Sequence, residues 1–172
     1  MPADPALLVR DERPGDQAPL RALVTAAFTG HPHSDGSEPG IVDALRADGA
    51  LAISLVAELG GDMVGQAAFS PVRIGDGSTG WYGLGPVAVA PERQGQGIGS
   101  ALIEEGLRRL RAQGASGCVV LGEPGYYRRF GFAQDPALTL EGPPAEYFLA
   151  LRFQPTPAQG AVAYHAAFGG PE

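Results

Sequence analysis

The sequence predicts an α/β domain in which a mixed, mostly antiparallel central sheet is flanked by helices. Segments with an apolar residue at every second position precede a long amphipathic helix, and a short, continuously apolar strand follows that helix. Alternation is typical of antiparallel strands with one solvated face, whereas a continuous apolar strand is typical of a sheet covered on both faces. Because strands joined through a crossover helix pair in parallel, we expect one parallel pair in an otherwise antiparallel sheet.

The length and composition favour a single domain. The chain has 172 residues, close to the ~150 typical of one domain, and 44% of them are hydrophobic. The sequence contains no repeat and no linker long enough to divide it. We therefore expect one domain over residues 1–172, with its core at 7–132 and C-terminal strands at 133–172.

The first elements are a strand at residues 7–13 and a helix that Asp16 can cap. The apolar positions of this helix repeat with the helical period, at Leu20, Leu23, Val24, Ala27 and Phe28. A polar segment at residues 29–40, rich in Gly and Pro, is expected to be a mobile loop. A second, short helix ends at Gly49, and its apolar positions are Ile41, Val42 and Leu45.

The central elements are a hairpin, a strand, a long helix and a second strand. Residues 51–74 alternate around a Gly-Gly turn, and residues 81–89 form a further strand. Residues 97–113 form the long helix, whose apolar stripe must pack on the sheet, and residues 117–121 form the continuous apolar strand. The remaining expected elements are a short helix at 126–129, a strand from Phe132, and strands within 146–153 and 161–164.

The charge balance argues against a nucleic-acid partner. The net charge is −7, the pI is ≈ 4.9 and all 12 basic residues are arginine, whereas phosphate backbones bind to a basic stripe. The one cysteine, Cys118, lies in an apolar strand, which favours a reducing compartment. No apolar run approaches ~18 residues and the start lacks a signal-peptide pattern, so we expect a cytoplasmic protein that does not bind membranes.

A glycine-rich loop within residues 87–103 carries the one chemical signature of the chain. A strand ends there and a helix begins, and Gly95, Gly97 and Gly99 stand at alternate positions. Such a loop presents backbone amides and the positive end of a helix to phosphate oxygens, and glycine lets a ligand approach the backbone. The sequence therefore predicts a pyrophosphate-bearing ligand.

Two common nucleotide-binding motifs fit this loop poorly. The dinucleotide fingerprint G-x-G-x-x-G requires a glycine where Ser100 stands. The phosphate loop of NTPases requires a Gly-Lys pair, and the chain has no lysine. Both ligand classes are therefore disfavoured.

The loop resembles that of the GNAT N-acetyltransferase superfamily, in its bacterial type. Gln94, Gly97 and Gly99 fit the pattern Q/R-x-x-G-x-G/A, with which that family binds the pyrophosphate of acetyl-CoA. A second motif of the family, Y-x-x-x-G-F, is matched within YYRRFGF, where Tyr127 is the tyrosine. The resemblance covers residues 7–132 and is looser beyond them.

The resemblance implies a GNAT fold with a splayed parallel strand pair, and acetyl-CoA as the acyl donor without a metal. In that family the backbone of the strand before the loop bonds the pantetheine arm, and Gly85 and Pro86 here suit a bulge. The residues implied in binding acetyl-CoA are Val87, Ala88, Val89, Gln94, Gly95, Gln96, Gly97, Ile98, Gly99 and Ser100.

The resemblance assigns a catalytic role to Tyr127, which matches the family tyrosine near the coenzyme sulfur. Tyrosine is a weaker acid than a thiol, so it hydrogen bonds a departing thiolate more easily than it protonates it. Many family members carry a glutamate base on the strand before the loop, but residues 80–90 hold no carboxylate and no histidine. The candidate bases are Glu123, His33 and Asp35, with ordered water as a further alternative.

The expected function is the direct transfer of an acetyl group from acetyl-CoA to a primary amine of a small molecule or peptide. A homodimer is an open expectation. The alternative is a non-catalytic GNAT-fold module that binds an acyl-CoA as a sensor or scaffold. The missing base favours the alternative, whereas Tyr127 favours the enzyme.

Overall fold

The structure is a computed structural model that describes residues 7–29 and 36–168. None of the helices in this part of the chain is long and apolar enough to cross a membrane. The chain forms two compact units. Two strands and one helix are divided between them, so that each of these elements has residues in both units. The first unit comprises Met1–Phe69 and Pro86–Gly106, and the second comprises Ser70–Gly85 and Leu107–Glu172.

The first unit contains antiparallel strands that pair in chain order and two helices. Leu7 lies opposite Leu59 in the first pair, and Leu59 lies opposite Asp62 in the second. The predicted hairpin is confirmed, and its turn residues Gly60 and Gly61 have φ of 61° and 88°, which favour glycine. The elements are β1 (Leu7–Asp11), α1 (Gln17–Phe28), α2 (Glu38–Ala47), β2 (Ile53–Leu59) and β3 (Asp62–Pro71).

Both helices bury apolar positions that the helical period predicts. The buried side chains are Leu20, Leu23 and Val24 on α1, and Ile41, Val42 and Leu45 on α2. Ala27 and Phe28, the last two expected positions of α1, are only half-buried. The second helix is closed as predicted by Gly49, whose φ is 68°.

Asp16 stands at the start of α1, but its carboxylate does not cap the helix. It accepts hydrogen bonds from the Arg10 guanidinium at 2.8 Å and from the Arg13 N–H at 2.6 Å. The bond from Arg10 is the main reason why the pKa of the Asp16 carboxyl lies below its usual value. An ion pair with β1 therefore replaces the predicted cap.

Helix α3 (Ile98–Ala112) packs against β3 at a point where only glycine fits. A Cβ built on Gly106 would lie 2.1 Å from Cε1 and 2.2 Å from Cζ of Phe69, whose side chain is fully buried. The predicted packing of this helix on the sheet is thus confirmed within the first unit.

Replacing Gly106 with Ala should destabilise the protein by up to ~2 kcal/mol, measured by thermal or denaturant unfolding. Overpacking a core costs about 1–3 kcal/mol and the Phe69 ring lies well inside contact distance, whereas the helix preference of alanine returns only about 1 kcal/mol. Gly40→Ala in α2 is the matched control, because a Cβ there meets no atom within 4 Å and should raise stability. Equal stabilisation by both changes would contradict the packing.

The second unit combines the predicted parallel pair with an antiparallel neighbour. The start of β5 (Trp81–Val89) pairs in parallel with β6 (Gly117–Leu121), up to Leu84 opposite Val120. Strand β8 (Phe148–Arg152) then pairs antiparallel with β6. A second, three-stranded sheet, which the sequence did not predict, consists of β4 (Arg73–Ile74), β9 (Gly160–Ala163) and β7 (Leu138–Thr139).

The predicted strand from Phe132 is wrong. Only Ala133 pairs, in an isolated antiparallel bridge to Ala150. The chain turns immediately afterwards, because the carboxylate of Asp135 accepts a hydrogen bond from the Ala137 N–H at 3.0 Å. Phe132 contributes a buried ring instead of a strand, with 1% of its surface exposed.

Candidate active site

The glycine loop joins the end of β5 to the start of α3, as the sequence predicts. Gly95 and Gly97 have φ of 79° and 84°, at which a side chain is strained. The N–H of Ala101 donates the first intrahelical bond, to the Gly97 carbonyl at 3.0 Å, and Gly99 and Ser100 form the first turn. The first turn of a helix carries the positive end of the helix dipole. The loop therefore suits an anion.

The side chains of the loop have different environments: one hydrogen bonds to the preceding strand, one is buried and one is exposed. The Gln94 amide donates to the Val89 carbonyl at 3.2 Å, which ties the loop to the strand before it. Ile98 is buried, and a Cβ built on Gly65 of β3 would lie 3.0 Å from its Cγ2. Gln96 is exposed. Backbone amides, more than these side chains, are thus placed to meet a ligand.

Strand β5 lies between β3 and β6 in the sheet and pairs with β6 only along its first half. Its parallel register with β6 ends at Leu84, and Gly85 follows with a φ of 146° and no atom within 4 Å of a built Cβ. At the far end of the strand, the Ala90 N–H donates to the Val64 carbonyl of β3 at 2.8 Å. Residues 87–89, the expected pantetheine-binding stretch, lie in this second half. The end of the parallel register agrees with the bulge expected at Gly85.

Tyr127 lies in a short helix after β6 and is held by aromatic rings. Its ring meets those of Tyr126 and Phe132 edge to face, with centroids 5.0 and 5.9 Å away. A Cβ built on Gly122 would lie 2.4 Å from its Cε2, so the glycine leaves the space that the ring fills. Burial, with smaller contributions from Tyr126 and Cys118, raises the pKa of Tyr127 to about 12. The phenol therefore stays protonated at neutral pH and can donate a hydrogen bond.

Glu123, the candidate base, directly precedes α4 (Pro124–Tyr127) and is exposed. Its carbonyl accepts the Tyr127 N–H at 3.0 Å, so its backbone begins the helix. The structure thus brings Glu123 and Tyr127 together in the second unit, whereas the glycine loop belongs to the first. The other candidate bases, His33 and Asp35, lie outside the described residues.

Two further titratable groups have structural partners. Glu58, which its place before a turn suggests is exposed, is ion-paired with Arg10 of β1. The Nδ1 of His165 accepts the Ala167 N–H at 2.9 Å. Among residues 7–29 and 36–168, no group of three or more His, Cys, Asp or Glu side chains is arranged to hold a metal ion.

The fold and the loop together define an α/β protein with a glycine-rich strand–loop–helix that suits an anion. Comparison with known proteins gives the family: the model of the acetyltransferase (GNAT) domain matches residues 51–134. The uncharacterized N-acetyltransferase YhbS of Escherichia coli K12 is 39% identical over 127 residues, which make up 73% of this chain and 73% of YhbS.

Solved structures show the same similarity over nearly the whole chain. A GNAT family acetyltransferase from Brucella melitensis in complex with acetyl-CoA is 53% identical, with a TM-score of 0.85 over 95% of this chain and 99% of that one. YhbS from Escherichia coli in complex with CoA is 34% identical, with a TM-score of 0.89 over 99% and 95%. The chain therefore belongs to the GNAT acetyltransferase family, has the GNAT fold and is an enzyme of the acyltransferase class.

Proposed function

We propose that the protein transfers the acetyl group of acetyl-CoA directly to a primary amine of a small molecule or peptide. The observation that carries the proposal is the loop at Gly95 and Gly97, whose left-handed backbone and helix amides suit a pyrophosphate. The 53% identical relative from Brucella melitensis is a complex with acetyl-CoA, which supports the same ligand here.

The proposed reaction is a nucleophilic substitution at the thioester. The amine nitrogen attacks the carbonyl carbon, the C–N bond forms, and the π electrons move onto the carbonyl oxygen. Collapse of this intermediate breaks the C–S bond. The amine loses one proton and the thiolate gains one, so the products are an amide and CoA. A backbone amide among Val87, Ala88 and Val89 is proposed to stabilise the oxyanion.

Tyr127 is proposed to hydrogen bond the departing thiolate. With a pKa of about 12, it is a much weaker acid than a coenzyme thiol of pKa about 8.5, so full proton transfer to the thiolate is uphill. A hydrogen bond to a charged group contributes about 1.5–3 kcal/mol. The rings of Tyr126 and Phe132 fix the direction in which the phenol points.

Glu123 is proposed to receive the amine proton through water. Its carboxylate is exposed and lies within one helical turn of Tyr127, and residues 80–90 hold no carboxylate or histidine that could replace it. The proton transfer is then to a group in contact with solvent.

Acetyl-CoA should raise the melting temperature of the protein. A ligand at 100 times its Kd adds about 2.7 kcal/mol to the native state, which corresponds to roughly 5–10 °C for a domain of this size. NAD and ATP should raise it much less, because the loop lacks the third fingerprint glycine and a lysine. Equal shifts with all three ligands, or none with any, would remove acetyl-CoA as the ligand of this loop.

Release of free CoA thiol with a panel of primary amines tests the transfer itself. The panel should include peptide N-termini, lysine side chains, polyamines and amino sugars. Thiol release that depends on one amine class supports the proposal and identifies the acceptor class. Tight binding of acetyl-CoA with no release above hydrolysis for any amine would instead favour the sensor module.

A further inference from the structure

Tyr164 follows β9 and lies against β5 near the end of the parallel register. A Cβ built on Gly83 would lie 3.3 Å from its Cε2 and 3.5 Å from its Cζ, the carbon that bears the hydroxyl. Gly83 is one residue before Leu84, where the register with β6 ends, and two before Gly85, beside which a Cβ would meet open space. The hydroxyl end of Tyr164 is therefore close to the point where the strand pair opens.

The hydroxyl of Tyr164 is not explained by packing. Among the described residues, three buried side-chain polar atoms have no hydrogen-bond partner: Ser70 Oγ, Trp81 Nε1 and the Tyr164 hydroxyl. Buried polar groups are almost always paired, so each of these is costly to keep. Ser70 and Trp81 are each only 1% exposed, whereas the Tyr164 residue as a whole is half-buried and packs against buried apolar side chains such as Val72 and Val162. The Tyr164 hydroxyl is buried like the other two atoms, but it belongs to the residue with the most exposed surface of the three.

Tyr164 lies within electrostatic range of Tyr127. Burial is the main reason why the pKa of Tyr164 is raised, and the charges of Cys118 and Tyr127 raise it further. The ring itself is held edge to face by Phe168, with centroids 5.2 Å apart. Two protonated phenols thus stand in one region of the second unit, and the proposed function uses only one of them.

We infer that Tyr164 is a second tyrosine of the acetyl-transfer site, whose hydroxyl donates a hydrogen bond to the carbonyl oxygen of the acetyl group. The inference rests on the proposed function. An acetyl thioester brings two acceptors, its sulfur and its carbonyl oxygen, and Tyr127 is proposed for the sulfur. When the amine attacks, the C–N bond forms and the carbonyl electron pair moves onto oxygen, so a donor there binds the transition state more tightly than the substrate.

The test compares two ligands that differ only in the acetyl group. Tyr164→Phe keeps the ring on Gly83 and Phe168 but removes the donor. By isothermal titration, Kd for acetyl-CoA should rise about 2- to 12-fold, the effect of one neutral hydrogen bond, while Kd for CoA stays unchanged. In infrared difference spectra with acetyl-CoA labelled with carbon-13 at the carbonyl, the C=O stretch should move to higher frequency. Tyr147→Phe, at an exposed tyrosine, should change neither quantity.

The outcomes separate the inference from the proposed function. The melting temperature of Tyr164→Phe should equal or exceed that of the wild type, because the hydroxyl it removes has no partner in the described structure. An equal loss of affinity for both ligands, or an unchanged ratio with an unchanged carbonyl frequency, would overturn the role of Tyr164 and leave the proposed function intact. Failure of the wild type to bind either ligand would overturn both.

Discussion

Replacing Tyr127 with Phe should lower kcat by about 10- to 150-fold while leaving KM for acetyl-CoA nearly unchanged. The proposed hydrogen bond forms as charge develops on sulfur, so its loss is felt in the transition state and not in ground-state binding. The range corresponds to about 1.5–3 kcal/mol for one hydrogen bond to a charged group. Steady-state thiol release with an amine identified by the panel measures both constants.

Tyr126→Phe is the internal control for this prediction. Its ring stacks edge to face on Tyr127 and under the Arg129 guanidinium, 4.5 Å from the centroid, and both contacts survive the loss of the hydroxyl. We expect the control to stay within about twofold of wild-type kcat, an effect below ~0.5 kcal/mol. Equal small effects from both substitutions would make Tyr127 a structural residue and favour the sensor module. A larger effect at Tyr126 would mean that the motif is aligned one residue out of place.

Replacing Gly97 with Val should weaken acetyl-CoA binding about 10-fold or more, with a smaller loss of stability. The φ of 84° is strained for any side chain, so the backbone must shift and re-aim the amides at the start of α3. Losing one hydrogen bond to a charged phosphate costs about 1.5–3 kcal/mol of affinity. Isothermal titration gives the affinity, and thermal unfolding gives the stability of the same variant.

Gly114→Val is the control that separates the effect of backbone strain on stability from the effect on acetyl-CoA binding. Gly114 follows the other end of α3 with a φ of 78° and, like Gly97, has no atom within 4 Å of a built Cβ. Both substitutions should therefore lower the melting temperature by similar amounts. Only Gly97→Val should also weaken the binding of acetyl-CoA. Unchanged affinity in a folded Gly97→Val protein would move the phosphate site away from this loop.

Elements with a strong period were predictable because one face of each is buried. The helices that carry Leu20 and Leu102 and the strands on both sides of the Gly-Gly turn are of this kind. The prediction of a strand from Phe132 was wrong because an apolar residue can be buried without strand pairing. The turn at Asp135 that follows depends on one side-chain hydrogen bond. The prediction that Asp16 caps α1 was wrong because its carboxylate binds the Arg10 guanidinium instead.

The residues of the candidate site also differ in how far the sequence alone reveals them. A glycine loop was recognisable because its residue types follow from backbone conformation, and Gly95 and Gly97 have the positive φ that this requires. Tyr164 gave no signal, since a single tyrosine after a short strand resembles any packing residue. Its distinguishing property, a buried hydroxyl without a partner beside Gly83, exists only once distant segments are folded together.

The contact between Gly122 and Tyr127 means that the position of the tyrosine ring depends on a residue outside the motif Y-x-x-x-G-F. Gly122 does not have a positive φ, so its backbone conformation does not require glycine. Glycine is needed there because the Tyr127 ring occupies the space that a side chain would fill. An alanine there would turn the phenol aside without touching any substrate. A genome survey that selects enzymes of this type by the tyrosine alone would therefore collect chains in which the ring cannot adopt this pose, and requiring a glycine five positions upstream would exclude them.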